Sequence, residues 1–111
     1  MSNELQQQFH QEMLSIYDSG LKLKPPYRAK LFLQMVSEHG GKITANRLLA
    51  TPKPSSGFTE LFLRGKENLK LSVEYLVLKS PWRELFTDEQ LAIARKRLRE
   101  VDCSPPPEDF V

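Results

Sequence analysis

The side chains able to carry acid–base or nucleophilic chemistry are few and far apart. There are two histidines, His10 and His39, and one cysteine, Cys103. A protein metal site needs three or four ligands at recognisable spacing, and these three residues do not supply one. A nucleophilic cysteine needs a nearby base and surroundings that lower its pKa. Cys103 lies two residues beyond the last expected core position, beside Ser104-Pro105-Pro106-Pro107, and has neither. His39 is expected at a helix C-terminus, where the dipole favours an imidazolium. Ser55-Ser56-Gly57 has too few glycines for a phosphate loop and no following Lys-Ser or Lys-Thr, and its second serine reads as a helix cap. The carboxylates Glu60, Glu67, Glu74, Glu84, Asp88 and Glu89 are scattered, and no two form a clear acid–base dyad. Glu38, His39 and Arg47 have the right residue types for general acid–base work, provided that they converge in a cleft. No cofactor is expected, and the expectation is a protein that is not an enzyme.

Binding chemistry is better represented. Residues 25–57 hold five bases, Arg28, Lys30, Lys42, Arg47 and Lys53, against the single acid Glu38. The last ten residues hold three acids and no base. Lys42-Ile43-Thr44-Ala45-Asn46-Arg47-Leu48-Leu49 follows a Gly-Gly turn, like the second helix of a helix-turn-helix, and Asn46 and Arg47 are types that read bases. Its start could instead hold an anion on free N–H groups. Arg95, Lys96, Arg97 and Arg99 share the last expected helix, and all four are expected in solvent. They also suit the dipole at a helix C-terminus. Nucleic-acid or anion contact therefore falls to Arg28, Lys30, Lys42, Asn46, Arg47, Lys53, Arg95 and Arg99. Leu31, Met35, Leu63, Tyr75, Leu78 and Trp82 fall beside the expected core stripes, and exposed together they would mark a protein interface.

These groups must be positioned by short helices. Leu5, Phe9, Met13, Ile16, Tyr17 and Leu21 recur at steps of about four and three, which predicts one amphipathic helix from about Asn3 to Leu21. Pro25-Pro26 blocks its continuation, and Pro26 suits the first turn of a second helix running to His39. Gly40-Gly41 ends that helix. A third runs from about Lys42 to Ala50, and Thr51 to Gly57 is a loop by composition. A fourth runs from Phe58 to Arg64 with Phe58, Leu61 and Phe62 inward, and Lys66 to Lys70 reads as a turn. Residues 71–78 have the β-branched and aromatic content of a strand. Leu69, Val73, Leu76 and Val77 also fit a helix capped by Ser72, and no partner strand is visible, so a helix is expected. Ser80-Pro81 reads as a cap before one helical turn. Thr87-Asp88-Glu89-Gln90 is a capping box opening a helix with Leu91, Ala94, Leu98 and Val101 inward.

The fold class expected is all-α: a compact orthogonal bundle of six to seven short helices and no sheet. At 111 residues the chain is one domain, expected over residues 1–103, with an acidic Pro-rich tail at 104–111 that is expected to be disordered. One cysteine allows no internal disulfide, no apolar run approaches the ~18 residues of a membrane span, and the start has no signal-peptide plan. A cytoplasmic location without membrane contact is expected.

Five motifs stand together: Ser37-Glu38-His39-Gly40-Gly41, Thr44-Ala45-Asn46-Arg47-Leu48-Leu49, Ser56-Gly57-Phe58-Thr59-Glu60-Leu61, Leu71 through Leu78, and Trp82 through Leu98 with Leu85-Phe86-Thr87-Asp88-Glu89. As a set over residues 28–98 they resemble a widespread bacterial family of small all-helical proteins without an assigned activity. The resemblance implies bacterial origin and a helical domain rather than a reaction. This chain differs in having Asn46 where the pattern has arginine and Leu63 where it tends to a polar residue. The expected function is a non-catalytic interaction module, an accessory or adaptor subunit whose partner is another protein. Nucleic acid is the alternative partner.

Overall fold

The structure, a computed structural model, describes residues 2–106. It is an all-helical bundle, with no strand among the described residues. The α-helices are α1 (Ser2–Leu21), α2 (Lys30–His39), α3 (Gly41–Ala50), α4 (Ser56–Leu63), α5 (Val73–Val77) and α6 (Asp88–Arg99). Two 3-10 segments, Lys66–Leu71 and Trp82–Leu85, precede α5 and α6 respectively. Helices of five to twelve residues cannot hold themselves in water, so α2 to α6 depend on packing.

The first helix is the spine. Phe9 and Met13, four residues apart on its apolar stripe, are fully buried. The Phe9 ring meets Phe86 edge-on at 5.4 Å between centroids and Trp82 at 5.9 Å, a favourable tilted geometry. α3 crosses α1 at Gly41, where a Cβ would stand 2.8 Å from the His10 Cα, so only glycine permits this approach. His10 then does what the sequence did not suggest: its Nδ1 accepts the Gly41 N–H at 3.0 Å and caps α3 from another helix.

Local signals explain most helix ends. Gly40, at φ +88°, closes α2 and donates its N–H to the Val36 carbonyl. The Ser72 hydroxyl accepts from the Tyr75 N–H at 3.2 Å and donates to the Leu69 carbonyl, which makes residues 73–77 helix rather than strand. Both bonds of the Thr87–Gln90 capping box form.

Four expectations need correction. α2 begins at Lys30, because the Tyr27 N–H donates to the Gly20 carbonyl at 2.8 Å and holds the chain against α1 past both prolines. Ser55, not Ser56, caps α4, accepting from Phe58 N–H. Ser80 caps nothing; the 3-10 turn after it has Pro81 at the cap position and no side-chain bond there. Cys103 is not outside the core. Asp102 adopts φ +56°, a left-handed conformation that short polar side chains tolerate, and the Cys103 N–H reaches back to the Leu98 carbonyl at 2.9 Å. The turn folds the cysteine under the end of α6, where it is 7% exposed. Of the tail, Ser104 and Pro105 are exposed and Pro106 is buried; residues 107–111 lie outside the described residues.

Candidate functional site

The last helix carries the largest departure from expectation. Arg97 is not on the surface: its side chain is 5% exposed and lies 3.0 Å from the Glu74 carboxylate, itself buried. The guanidinium also donates to the Leu48 and Thr51 carbonyls, which closes the C-terminal end of α3. One planar group with several fixed donors thus joins α6, α5 and α3. Burial pushes the Glu74 carboxyl above its usual range, and its own backbone N–H and Arg97 pull it partly back. Both terminal nitrogens of the guanidinium are taken up by protein partners on α3 and α5, an arrangement that holds helices together.

Glu74 forms part of the inner wall of a second feature. An apolar hollow of about 290 Å³ opens between α1, α2, α4 and α5. Ile16, Phe32, Met35, Leu48, Phe58 and Leu61 line it, and Leu31, Arg28 and Lys30 stand at its rim. Leu31 is 69% exposed, and both bases are exposed, so the hollow reaches solvent. Protein interiors rarely leave voids larger than a water molecule, and this space is well beyond that limit.

One edge of the hollow is fixed by Arg64. Its guanidinium pairs with Glu60 at 2.6 Å, donates to the Pro25 and Pro26 carbonyls, and stacks 5.2 Å from the Tyr27 ring centroid. Burial and the Glu60 charge raise the Tyr27 hydroxyl above its usual pKa, while Arg64 lowers it. The clamp holds the end of α4 against the segment that follows α1. The same end of the molecule presents Leu63, 71% exposed, with Phe62 and Leu21 partly exposed. Phe62 was expected inward, but Phe58 and Leu61 take the buried side of α4 and turn it out.

The expected contact residues do not gather. Asn46 accepts a hydrogen bond from Gln90 Nε2 at 2.9 Å, which ties α3 to the start of α6 instead of leaving a base-reading amide free. Lys42 places its ammonium 5.6 Å over the Phe86 ring. The Gly41 N–H expected to hold an anion is taken by His10. Arg28 and Lys30 belong to the hollow, whereas Lys42 lines a separate open groove beside His10 and His39 that shares no residue with it. Arg47, Lys53 and Arg99 are exposed and Arg95 is half-buried.

The interface set also divides. Leu31 and Leu63 are exposed and Met35 is half-buried at the hollow. Leu78 is buried, because it closes the C-terminal end of α5 against the core, and Tyr75 and Trp82 pack on that same core. Glu38, His39 and Arg47 do not share a cavity: His39 lines the groove, and neither hollow nor groove contains Glu38 or Arg47. No group of three or more metal-ligating side chains occurs among the described residues, and no helix there is long and apolar enough to cross a membrane.

No family model matches the chain, and no curated protein and no solved structure matches it.

Proposed function

We propose that this protein is a non-catalytic interaction module of the bacterial cytoplasm, an accessory subunit that docks on another protein through the surface around Leu63. The carrying observation is that Arg64 ties the end of α4 to the segment after α1, and that the large apolar side chains flanking those two tied segments in the chain, Leu21, Phe62 and Leu63, reach solvent. Solvent-facing leucines are ordinary singly; grouped on a surface held rigid by a charged clamp, they favour an interface. Leu63 also stands where the resembled family pattern tends to a polar residue. The neighbouring Lys22, Lys24 and Lys66 are exposed, so the surface suits an apolar segment flanked by acids. Bacterial and cytoplasmic origin rest on the resemblance and on the single cysteine. Nucleic-acid binding is the weaker reading, since Asn46 and Lys42 are engaged within the fold.

The test is capture from the native host with wild-type, Leu63→Asp and Ile93→Asp chains, followed by reconstitution with the purified partner. A protein held by wild type and by Ile93→Asp, lost with Leu63→Asp, and bound again in purified form supports the proposal. Equal recovery by all three chains overturns it, as does recovery of nucleic acid alone with salt-sensitive binding.

A further inference from the structure

We infer that the hollow between α1, α2, α4 and α5 is a binding site for an anionic amphiphile, a single unbranched hydrocarbon chain carrying a carboxylate head. The inference goes beyond the docking surface and does not depend on it, because none of Leu21, Phe62 and Leu63 lines the hollow.

Size comes first. Small-molecule pockets begin at about 300 Å³ and are mostly apolar, with a few polar groups that fix orientation. The hollow, at about 290 Å³, is at that threshold. At roughly 30 Å³ for each water-sized group, it has room for about ten methylenes in line. That is more than one aromatic side chain of a docking protein would fill, and it suits a flexible chain.

Chemistry sets the orientation. The walls are aliphatic and aromatic, with Ile16, Phe32, Met35, Leu48, Phe58 and Leu61 offering no hydrogen bond. The buried polar side chains of the lining are Glu74, which already faces Arg97, and Ser72, whose hydroxyl is already bonded to Leu69 and Tyr75. An acid there disfavours a second anion beside it. At the rim the charges are positive: Arg28 and Lys30 are exposed, and neither has an acidic partner among the described residues. A ligand whose tail enters and whose carboxylate stays at the rim satisfies both ends. A cationic amphiphile meets two like charges.

Decanoate is the probe. It is titrated into the whole chain by calorimetry, with amide shifts of Leu31, Met35 and Phe58 followed in parallel. Decyltrimethylammonium supplies the same tail with the opposite charge, acetate the same head without a tail, and anionic phospholipid vesicles the same chemistry as a surface. Saturable binding of decanoate with shifts at those residues is expected, with acetate silent and the cation roughly tenfold weaker. Arg28→Ala/Lys30→Ala should weaken decanoate roughly fivefold, the scale of exposed charge contacts. Met35→Trp, which fills the hollow from its edge, should abolish binding; Ala29→Leu fills it from the start of the same helix should the first variant unfold. Equal affinity for anion and cation overturns the inference. So does decanoate binding that survives a folded filling variant, or association with vesicles alone.

Discussion

The seam joining α3, α5 and α6 and the outer helices α2 and α4 treat their side chains in opposite ways. At the seam, groups that prefer water are buried and matched to one another: Arg97 with Glu74, Leu48 and Thr51, and Asn46 with Gln90. On α2 and α4, groups that avoid water are left partly uncovered: Leu31, Phe62 and Leu63 reach solvent, and both helices line an apolar hollow. The first arrangement fixes how helices meet; the second leaves surface available. Both proposed binding surfaces draw on the uncovered apolar groups of the second arrangement rather than on the matched charges of the first.

The seam should be the more fragile region. Arg97→Met removes the one buried cation among the described residues, leaves a carboxylate in a dry site and takes a donor from each of the Leu48 and Thr51 carbonyls. Breaking one side of a buried pair costs about 3–5 kcal/mol. For a chain of this size that is a large share of total stability. Urea unfolding should show the midpoint collapse or the native baseline vanish. A loss below ~1 kcal/mol would mean that the pair adds no more than an exposed one.

The second region should respond locally. Arg64→Ala deletes a clamp built mainly of charge-assisted bonds to carbonyls, each worth about 1.5–3 kcal/mol in buried settings. Its partner Glu60 is well exposed and the bonds lie near the surface, so a net loss nearer 1–2 kcal/mol is expected. The sharper reading is hydrogen exchange. The Tyr27 amide, bonded to Gly20, should lose protection while Arg97's neighbours on α6 keep theirs. Equal loss at both would mean that the two regions open as one unit.

These two regions were unequally legible in the sequence. Caps and stops rest on local chemistry, and the Thr87 box, the Ser72 cap and the Gly40 stop can be read directly from residue type and spacing. The seam could not be, because it depends on a charged residue turned inward. The signal is present: Arg97 is three residues after Ala94 and four before Val101, on the edge of the apolar stripe. What hides it is the cost of burying a charge, which is tolerable only when a partner on a distant segment is already in place. His10 shows the same difficulty, since its partner is 31 residues away. Cys103 was missed for another reason: the turn that buries it uses Asp102 where glycine is the usual cue. The hollow left no mark in the sequence at all, because it is defined by what several helices fail to fill.

The smallest effect tests the electrostatics of the seam. In Glu74→Gln the side chain keeps its shape and an oxygen for Arg97, but the buried guanidinium loses its counter-charge and keeps only the Leu48 and Thr51 carbonyls, so stability at neutral pH should fall, by less than in Arg97→Met. The pH dependence should change more clearly. Burial raises the folded-state pKa of Glu74 above its ordinary value of 4.5. Between the two values the native state holds more protons than the unfolded chain, so stability falls as the pH rises. The contribution is fully present below pH 4.5 and is lost as the pH climbs through the raised folded value. Glu74→Gln has no proton to lose there, so the stability of wild type relative to the variant should decline with pH above 4.5 and then level off. A difference that instead grows as the pH rises would show that the attraction of Arg97 outweighs burial, and that the seam is held by its charges rather than in spite of them.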